Sequence, residues 1–212
     1  IRFREITAAA GLSEARSGPA LAVDIDNDGW ADIVSTRGQL WRNRGDGSFL
    51  DVAANVGFLP HPKALTLGAG DVNGDGYADL YVGMQEDWND GNPDYYPHEL
   101  WLNHAGKRFE EVGRKAGIDR KTYGRSVLFL DVDADGDQDI FVANYRLQAN
   151  LLWTNVGGGR FVDRAEHYGV RGRRNATQFL DPVTKRRYGP QYGHTIAACW
   201  LDIDEDGAWD LF

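Results

Sequence analysis

The sequence has little of what would cross-link a chain, anchor it in a membrane or mark a familiar catalytic centre. It holds one cysteine, so no disulfide can form within the chain. We expect Cys199, which stands in the apolar run IAACWLD, to be a buried and inert thiol. No apolar run approaches the roughly 20 residues of a membrane helix. The signatures of zinc proteases, serine hydrolases and nucleotide-binding loops are absent, which disfavours the commonest enzyme classes.

The chain begins at Ile1 rather than at a methionine. We therefore expect a processed mature chain or a fragment of a longer one. Aromatic residues and glycine, in contrast, are plentiful. The nine Phe, nine Tyr and seven Trp suit a sheet-rich core, and the 26 Gly indicate many turns.

Negative charge is concentrated rather than spread. The net charge is −9, yet fifteen of the 32 acidic residues occupy the four repeated positions of four short segments described below. The other 17 acidic residues face 23 Lys and Arg, so the chain apart from those fifteen positions carries a net +6. Four divalent cations would bring the total from −9 to −1. The acidity thus points to bound cations rather than to an acidic tail, and it argues against a nucleic-acid partner.

The four acidic segments share one spacing, D-x-[D/N]-x-D-G-x-x-D. We call them loops 1 to 4: DIDNDGWAD at 24–32, DVNGDGYAD at 71–79, DVDADGDQD at 131–139 and DIDEDGAWD at 202–210. Position 2 is always Ile or Val, and Asn73 is the one amide among positions 1, 3, 5 and 9. Glycine at position 6 permits a sharp turn, so the acidic side chains can point at one centre.

This oxygen-rich pattern predicts calcium, which takes six to eight hard oxygen ligands from flexible loops. Position 7 varies because it would contribute only its backbone carbonyl. The predicted ligands are Asp24, Asp26, Asp28, Trp30 and Asp32; Asp71, Asn73, Asp75, Tyr77 and Asp79; Asp131, Asp133, Asp135, Asp137 and Asp139; and Asp202, Asp204, Asp206, Ala208 and Asp210.

Other ions and other loop types fit the pattern less well. An EF-hand would close with Glu at position 12 and lie between helices, whereas these flanks are strand-like. Magnesium is disfavoured because it usually keeps several waters, and no soft ligand suggests zinc. The plain alternative is an Asp/Gly-rich turn without an ion. We expect loop 2 to be the weakest site, since it has only three carboxylates.

Two further repeats frame the loops. A segment led by phenylalanine begins at residues 3, 49, 109 and 161, and an L-W-x-N segment begins at 40, 100 and 152. Short runs rich in β-branched and aromatic residues, bounded by Gly, Asn and Asp, are typical of strands. Each unit thus predicts four strands: A before the aspartate loop, B after it, C at L-W-x-N and D at the repeated Phe. Such a unit of about 40–50 residues indicates a β-propeller blade.

We therefore predict an all-β fold, a β-propeller of four-stranded blades with three full blades and partial terminal ones. The ring is expected to be incomplete within this chain. One propeller region would cover 1–212, with a leading strand at 3–7 and repeats at about 20–58, 64–118, 126–170 and, truncated, 196–212. In an up-and-down blade the A–B and C–D turns share one face, and the B–C and D–A turns share the other.

The loops resemble the calcium loops of FG-GAP/VCBS repeats, which the propellers of integrin α subunits carry. Segments such as FLDVAANVGF at 49–58, together with L-W-x-N and the aspartate loops, are closer to secreted bacterial VCBS proteins and the ASPIC/cartilage acidic protein group. The stretch LGAG at 67–70 only approximates the FG…GAP cage. The resemblance implies a calcium-stabilised propeller that is secreted and extracellular or at the cell surface, with the periplasm as the alternative. It implies no defined chemistry.

Two long insertions fall on the face opposite the aspartate loops, which we call the insertion face. The first, residues 84–99, is acidic and aromatic, and the second, residues 171–195, is basic and aromatic. Trp, Tyr and Arg on long surface loops favour binding. We expect a protein or glycan ligand here, or self-assembly, with no nucleic acid and no membrane span. The alternative is that the two insertions pack against each other.

Two functional hypotheses follow. The first is a non-enzymatic module for adhesion, surface assembly or ligand binding, and the second is a carbohydrate-active enzyme of lyase or hydrolase type on the insertion face. The residues to test for the second are Glu99, Asp94, Tyr192 and His194. The sequence favours the first, because calcium accounts for the clustered aspartates and leaves no evident acid–base pair.

Two short motifs carry less weight. Arg44-Gly45-Asp46 spells a cell-recognition tripeptide, but it is also one version of the turn between strands C and D. Asn175-Ala176-Thr177 is a glycosylation sequon that matters only if the source glycosylates.

Overall fold

The computed structural model describes residues 3–89, 92–174, 179–180, 187–188, 192–206 and 209–212. Three four-stranded antiparallel sheets follow one another along these residues. In each sheet the strands pair in the order A-B-C-D, interrupted in sequence only by a hairpin in the second. The prediction of an all-β fold with three full four-stranded blades is therefore confirmed.

The strands have the following bounds. Blade 1 contains β1 (Ala20–Val23), β2 (Asp32–Ser35), β3 (Gln39–Asn43) and β4 (Phe49–Asp51), followed by the short helix α1 (Ala53–Val56). Blade 2 contains β5 (Ala64–Gly70), β6 (Asp79–Met84), β9 (Glu99–Asn103) and β10 (Phe109–Glu111), with the hairpin β7 (Asp87–Asn89) and β8 (Asn92–Asp94) inserted between β6 and β9. Blade 3 contains β11 (Gly124–Leu130), β12 (Asp139–Asn144), β13 (Leu151–Asn155) and β14 (Phe161–Asp163).

The chain continues with two short strand pairs. β15 (Phe179–Leu180) pairs with β16 (Arg187–Tyr188) inside the second insertion. β17 (Trp200–Leu201) pairs with β18 (Asp210–Leu211) and forms the A and B strands of a fourth unit. Cys199 is exposed beside this pair, so the expectation of a buried thiol is wrong. The described part of the fourth unit holds two strands, which is too little sheet to cover the residue.

Strands B of blades 2 and 3 are buried on both faces because neighbouring units cover them. Every residue of β6 (DLYVGM) and of β12 (DIFVAN) is buried. The hydrophobic core accordingly lies between blades. Phe58 and Trp101 pack edge to face between blades 1 and 2, with ring centroids 5.4 Å apart. Ile140 and Phe161 lie in the cluster between blades 2 and 3.

Two glycines of β5 permit a close approach of the next blade. A Cβ on Gly68 would lie 2.6 Å from Val127 Cγ1, and one on Gly70 would meet the Phe129 ring. Both contacts are with β11, the strand A of blade 3. The LGAG stretch is therefore explained by packing between the inner strands of adjacent blades.

The segment after each strand D forms a short helical turn, which the sequence did not predict. These turns end at glycines with positive φ: Gly11 (76°), Gly57 (76°), Gly117 (91°) and Gly169 (70°). The turns also pair with the following blade, because Phe49 donates its N–H to Ala10 O (2.9 Å) and Phe161 donates to Ala116 O (2.7 Å).

The expected leading strand at 3–7 is not formed. Residues 3–6 have no regular secondary structure, and residues 7–11 form one of the helical turns. A strand needs a hydrogen-bonded neighbour, and no described strand pairs with this segment. The turn at 7–11 instead contacts strand β4 of blade 1, since Ala10 O accepts the N–H of Phe49.

A buried polar chain joins blades 2 and 3. Trp153 donates its Nε1–H to the Tyr81 hydroxyl (3.0 Å), which donates to His98 Nδ1 (2.8 Å). His98 Nε2 lies 3.0 Å from the Thr122 carbonyl oxygen, which can only accept, so Nε2 carries the proton. His98 is 2% exposed, and burial lowers the pKa of His98 to about 4. The neutral tautomer is thus part of the fold.

The buried, neutral His98 predicts that the protein loses stability in mild acid. Between pH 6.5 and 4 the unfolded chain binds a proton at His98 that the folded chain does not bind, so the free energy of unfolding falls as pH falls. The full effect is about 3 kcal/mol, from a slope of about 1.4 kcal/mol per pH unit. Urea unfolding at several pH values should show a His98→Gln variant that is less stable at pH 7 but has a slope shallower by about one proton. An unchanged slope would contradict this role.

Candidate metal centres and the insertion face

The carboxylate at position 1 of each loop organises the turn. Asp24 accepts the backbone N–H groups of Asp28 (3.2 Å) and Gly29 (2.8 Å). Asp71 and Asp131 accept the equivalent pairs in loops 2 and 3, and Asp202 accepts the N–H of Asp206 (3.0 Å) in loop 4. The D-x-x-x-D-G spacing thus folds locally, because a short acidic side chain satisfies the N–H groups of its own turn.

Position 4 has positive φ whatever residue occupies it. The values are 57° for Asn27, 72° for Gly74, 58° for Ala134 and 61° for Glu205. This conformation is unfavourable for Ala and Glu, at a cost of about 1–2 kcal/mol each. The shared geometry of the loop therefore overrides the local preference of the residue at position 4, and no residue pattern at that position signals it.

The carboxylate at position 9 is the most constrained of the four. Asp32, Asp79 and Asp139 are fully buried. Their Oδ2 atoms accept the N–H of the position-2 residue, from Ile25 (3.0 Å), Val72 (3.1 Å) and Val132 (2.8 Å). Their Oδ1 atoms each accept the N–H of the asparagine that ends strand C, at 2.7 Å from Asn43, Asn103 and Asn155. Position 9 therefore fastens the loop to its own blade.

Burial raises the pKa of these carboxyl groups despite their hydrogen bonds. The pKa of Asp79 rises to about 7 and that of Asp139 to about 6, and the pKa of Asp32 is also raised. The first cause is desolvation, and the other carboxylates of the same loop add to it. A cation beside such a group stabilises its charged form, so the electrostatics of positions 1, 3 and 9 suit a bound cation.

The structure brings carboxylate oxygens of each acid-rich loop within 4.8 Å of one another. The groups are Asp24, Asp26 and Asp32 in loop 1; Asp131, Asp133 and Asp139 in loop 3; and Asp202, Asp204 and Asp206 in loop 4. In loop 1 the buried Oδ1 of Asp26 has no hydrogen-bond partner. An unpartnered buried carboxylate oxygen is costly, and a cation would satisfy it. The arrangement can therefore hold metal ions.

The remaining predicted ligands differ in their surroundings. At position 5, Asp28, Asp75 and Asp135 each accept the N–H of the position-7 residue at 2.9 Å. In loop 2, Asn73 donates its Nδ2–H to Asp75 Oδ2 (3.1 Å). At position 7, the exposed ring of Trp30 lies against Gly45 of the C–D turn. Ala208 lies outside the described residues.

The asparagine of L-W-x-N is a functional residue that sequence reasoning missed. Asn103 donates its side-chain amide to Ala78 O of its own loop (3.1 Å) and to Ile25 O of loop 1 in the preceding blade (2.7 Å). Asn155 does the same with Gln138 O (3.4 Å) and with Val72 O of loop 2 (2.8 Å). The repetition of this residue beside each loop was the available signal. It makes loops 1 to 3 parts of joints between blades.

Loop 1 has two further contacts with blade 2. Asn27 donates its Nδ2–H to Gly76 O of loop 2 (2.7 Å). Arg42 forms an ion pair with Asp26 (2.9 Å) and donates to Gly106 O in the C–D turn of blade 2 (2.6 Å). The A–B loops and C–D turns therefore lie on one face, as predicted. That face includes Arg44-Gly45-Asp46, where Asp46 caps its own turn through Ser48.

On the insertion face, the described acidic and basic residues pair with the frame rather than with each other. Glu86 pairs with Arg146 (2.9 Å), and Asp87 pairs with Lys63 (2.9 Å). Arg171 pairs with Asp163 (2.8 Å) in its own blade. Asn175, Lys185 and Arg186 lie outside the described residues. Within the described ranges, then, no ion pair joins the two insertions.

The four residues named for an enzymatic hypothesis do not form a common centre. Glu99 accepts the Trp101 Nε1–H (2.8 Å) and the His61 N–H (3.2 Å), and burial raises its pKa. Asp94 accepts the Asn89 amide (2.6 Å), and His194 stacks on Tyr145 with centroids 4.6 Å apart. The backbone N–H of Tyr192 binds Leu147 O. Among the described residues, no hydrogen bond or ring contact joins any two of the four.

The fold and the loops together define a class, an all-β region of four-stranded propeller blades with an aspartate-rich loop between strands A and B. Residues 24–82, which include loops 1 and 2, match the family described as FG-GAP-like repeat, and the resemblance drawn from the motifs is confirmed. Loops 3 and 4 repeat the same spacing outside the matched segment.

The similarity to curated relatives extends over the whole chain. The chain is 29% identical over 223 residues to cartilage acidic protein 1 of Homo sapiens, with all of this chain and 30% of that protein covered. It is 27% identical to cartilage acidic protein 1 of Xenopus tropicalis, covering 31% of that protein. This chain thus spans about a third of the length of these relatives.

A solved structure, that of the exotype rhamnogalacturonan lyase YesX, aligns with a TM-score of 0.45 and 16% identity. The alignment covers 92% of this chain and 38% of the lyase chain. In the described ranges, no helix has both the length and the apolar character of a membrane span.

The side-chain bonds of the strand C asparagines predict that the same Asn→Ala substitution destabilises the protein unequally in blades 1 and 2. Asn103→Ala removes the bond to Ile25 O of blade 1, whereas Asn43→Ala removes only bonds to Ala31 O and Gly45 N of its own blade. We expect Asn103→Ala to cost about 1–2 kcal/mol more than Asn43→Ala, because it also leaves a buried carbonyl unpaired. Urea unfolding of both variants in saturating calcium measures the difference. Equal losses would show that Asn103 does not act between blades.

Proposed function

We propose that this chain is the calcium-stabilised propeller region of an extracellular protein and that it serves as a non-enzymatic ligand-binding module. The observation that carries the proposal is the grouping of carboxylate oxygens within 4.8 Å in three loops, with Asp26 Oδ1 buried and unpartnered. Oxygen-only donor sets on flexible loops suit calcium. The relatives are named for cartilage, and we extend an extracellular location to this chain as part of the proposal.

In this proposal the calcium ligands are the side chains at positions 1, 3, 5 and 9 and the carbonyl oxygen at position 7 of each loop. The ion neutralises carboxylates that the fold has already drawn together. Its structural effect reaches beyond one loop, since the carbonyls of Ile25 and Val72 in loops 1 and 2 accept bonds from the next blade. Ordering a loop therefore also orders the joint between two blades.

We assign the binding role to the insertion face, because the proposed calcium sites and the hydrogen bonds between blades occupy the opposite face. Trp88 is 53% exposed there, and the surrounding loops stand on strands that are buried on both faces. Exposed aromatic and arginine side chains on a rigid frame are common in binding hot spots. Adhesion and surface assembly are the biological roles that fit such a module.

Thermal unfolding with millimolar calcium and then with excess chelator tests the calcium part. An ion at 100-fold over its dissociation constant adds about 2.7 kcal/mol per site when only the folded state binds it. We expect the midpoint to fall by many degrees on chelation and to be restored by calcium but not by equimolar magnesium. An unchanged midpoint, together with metal analysis that detects no calcium in the purified protein, would overturn the proposal.

The four sites should also differ in affinity, with loop 2 weakest because position 3 is Asn73. Asn73→Asp adds a fourth carboxylate and should tighten calcium binding at loop 2 by about tenfold. The matched reverse variant, Asp133→Asn in loop 3, should weaken its site by a similar factor. Calorimetric calcium titration measures both changes. Titration curves that stay the same in both variants would exclude position 3 from the ligand sets.

A further inference from the structure

Loops from three consecutive units meet on the insertion face around Tyr145. The Tyr145 N–H binds Tyr123 O (2.9 Å), and the Tyr123 N–H binds the Gln148 side chain (2.6 Å). From the fourth unit, the His194 ring stacks on Tyr145. We call the side chains that gather here the Tyr145 cluster: Trp88, Tyr123, Arg125, Tyr145, Arg146 and His194.

A β-bulge places Arg125 in the cluster. The pairing of β11 with β12 shifts register between Gly124 and Ser126, which leaves Arg125 as the extra residue, and such a bulge re-aims a side chain. The guanidinium lies 5.9 Å from the Tyr123 ring centroid and 5.6 Å from that of Tyr145. The equivalent bulge of β5 holds Leu65. The bulge itself therefore does not require arginine.

Arg125 is an exposed cation without an acidic partner. Within the described part of the chain, no carboxylate lies within ion-pair distance of it, whereas nearby Arg146 is paired with Glu86. Stacking on aromatic rings fixes the plane of a guanidinium and leaves its edge N–H groups free. Those donors match the two oxygens of a carboxylate, or two oxygens of a sulfate.

The neighbouring loop is held in an unfavourable conformation. Arg146 and Leu147 have φ of 56° and 62° in succession, which is uncommon for residues other than glycine. The bonds from the Tyr145 and Tyr192 N–H groups, together with the Glu86 ion pair, hold this loop in place. In this conformation the Arg146 guanidinium lies 5.7 Å from the ring centroid of Trp88 and 5.5 Å from that of Tyr145. Strain that the surroundings enforce in this way is common at ligand-binding sites.

The Glu86 carboxylate lies beside Trp88 and Arg146 and binds both through one of its oxygens. The Glu86 side chain is 5% exposed, and its Oε1 accepts both Arg146 Nε–H (2.9 Å) and Trp88 Nε1–H (3.2 Å). Its Oε2 has no hydrogen-bond partner. The cluster thus combines an unmatched cation with flat aromatic surface.

We propose that the Tyr145 cluster is a binding site for an anionic saccharide, with Arg125 holding the carboxylate or sulfate group and Trp88 packing on the sugar ring. This rests on the proposed function, because it names the ligand class of the insertion face. An acidic peptide would share the charge, but flat aromatic ring faces match a sugar ring better than they match branched apolar side chains.

Calorimetric titration of the calcium-saturated chain, at fixed free calcium, tests the site. The probes are a uronic-acid tetrasaccharide, its neutral methyl ester, a sulfated tetrasaccharide and a glutamate-rich peptide of equal charge. We expect one or both anionic saccharides to bind, with the methyl ester at least about tenfold weaker than the uronate if the uronate binds. Whichever anionic saccharide binds identifies the anionic group. Arg125→Gln should weaken that binding about tenfold, and Trp88→Ala should also weaken it, whereas Arg160→Gln, on a C–D turn of the other face, should leave it unchanged.

Three results would overturn the saccharide site: no binding of either anionic saccharide, equal binding by Arg125→Gln, or an equally tight methyl ester. Tighter binding of the peptide would also overturn it, in favour of a protein ligand on the same face. These failures are separable from failure of the calcium proposal, because the chelator shift in thermal unfolding is read without any saccharide. Retention of that shift in Arg125→Gln verifies that the variant is folded.

Discussion

A carboxylate that is buried between propeller blades must have both of its oxygens hydrogen-bonded, and much of this architecture follows from that requirement. In blades 1 to 3 the position-9 aspartate meets it with the N–H of position 2 on one side and the N–H of the strand C asparagine on the other. That bonding pattern fixes the loop to the blade. Because the same asparagine reaches back to a carbonyl of the preceding loop, one acidic residue places two blades relative to each other.

The aspartate loops and the packing of the blades are therefore not separate matters in this chain. The loops that gather carboxylates also supply the backbone atoms that join blade 1 to blade 2 and blade 2 to blade 3. Hydrophobic clusters lie beneath the same joints, where strands B are buried on both faces. A cation that neutralises a loop would thus act on a joint that is already well packed, and the charge left in its absence would strain that joint.

The opposite face is built differently. Its long loops are tied down by ion pairs and ring contacts rather than by a repeated motif, and Arg146 and Leu147 are held with positive φ. Rigid blades permit this, since the strands beneath the loops do not yield. A face built on the repeated aspartate loops is thus separate from a face built on unrepeated aromatic loops, so that the second can change without loss of the first.

The sequence by itself determined the blades, the loop spacing and the family resemblance, because short β-branched and aromatic runs, turn residues and clustered aspartates are local signals. It also placed the A–B loops and C–D turns on one face. Only the tertiary structure decided the roles of Asn103, Asn155 and Arg125, the absence of a strand at 3–7, and the exposure of Cys199. Each of these depends on a neighbour distant in sequence, such as the loop of the previous blade, a bulge partner or a strand to pair with, and no local pattern encodes such a neighbour.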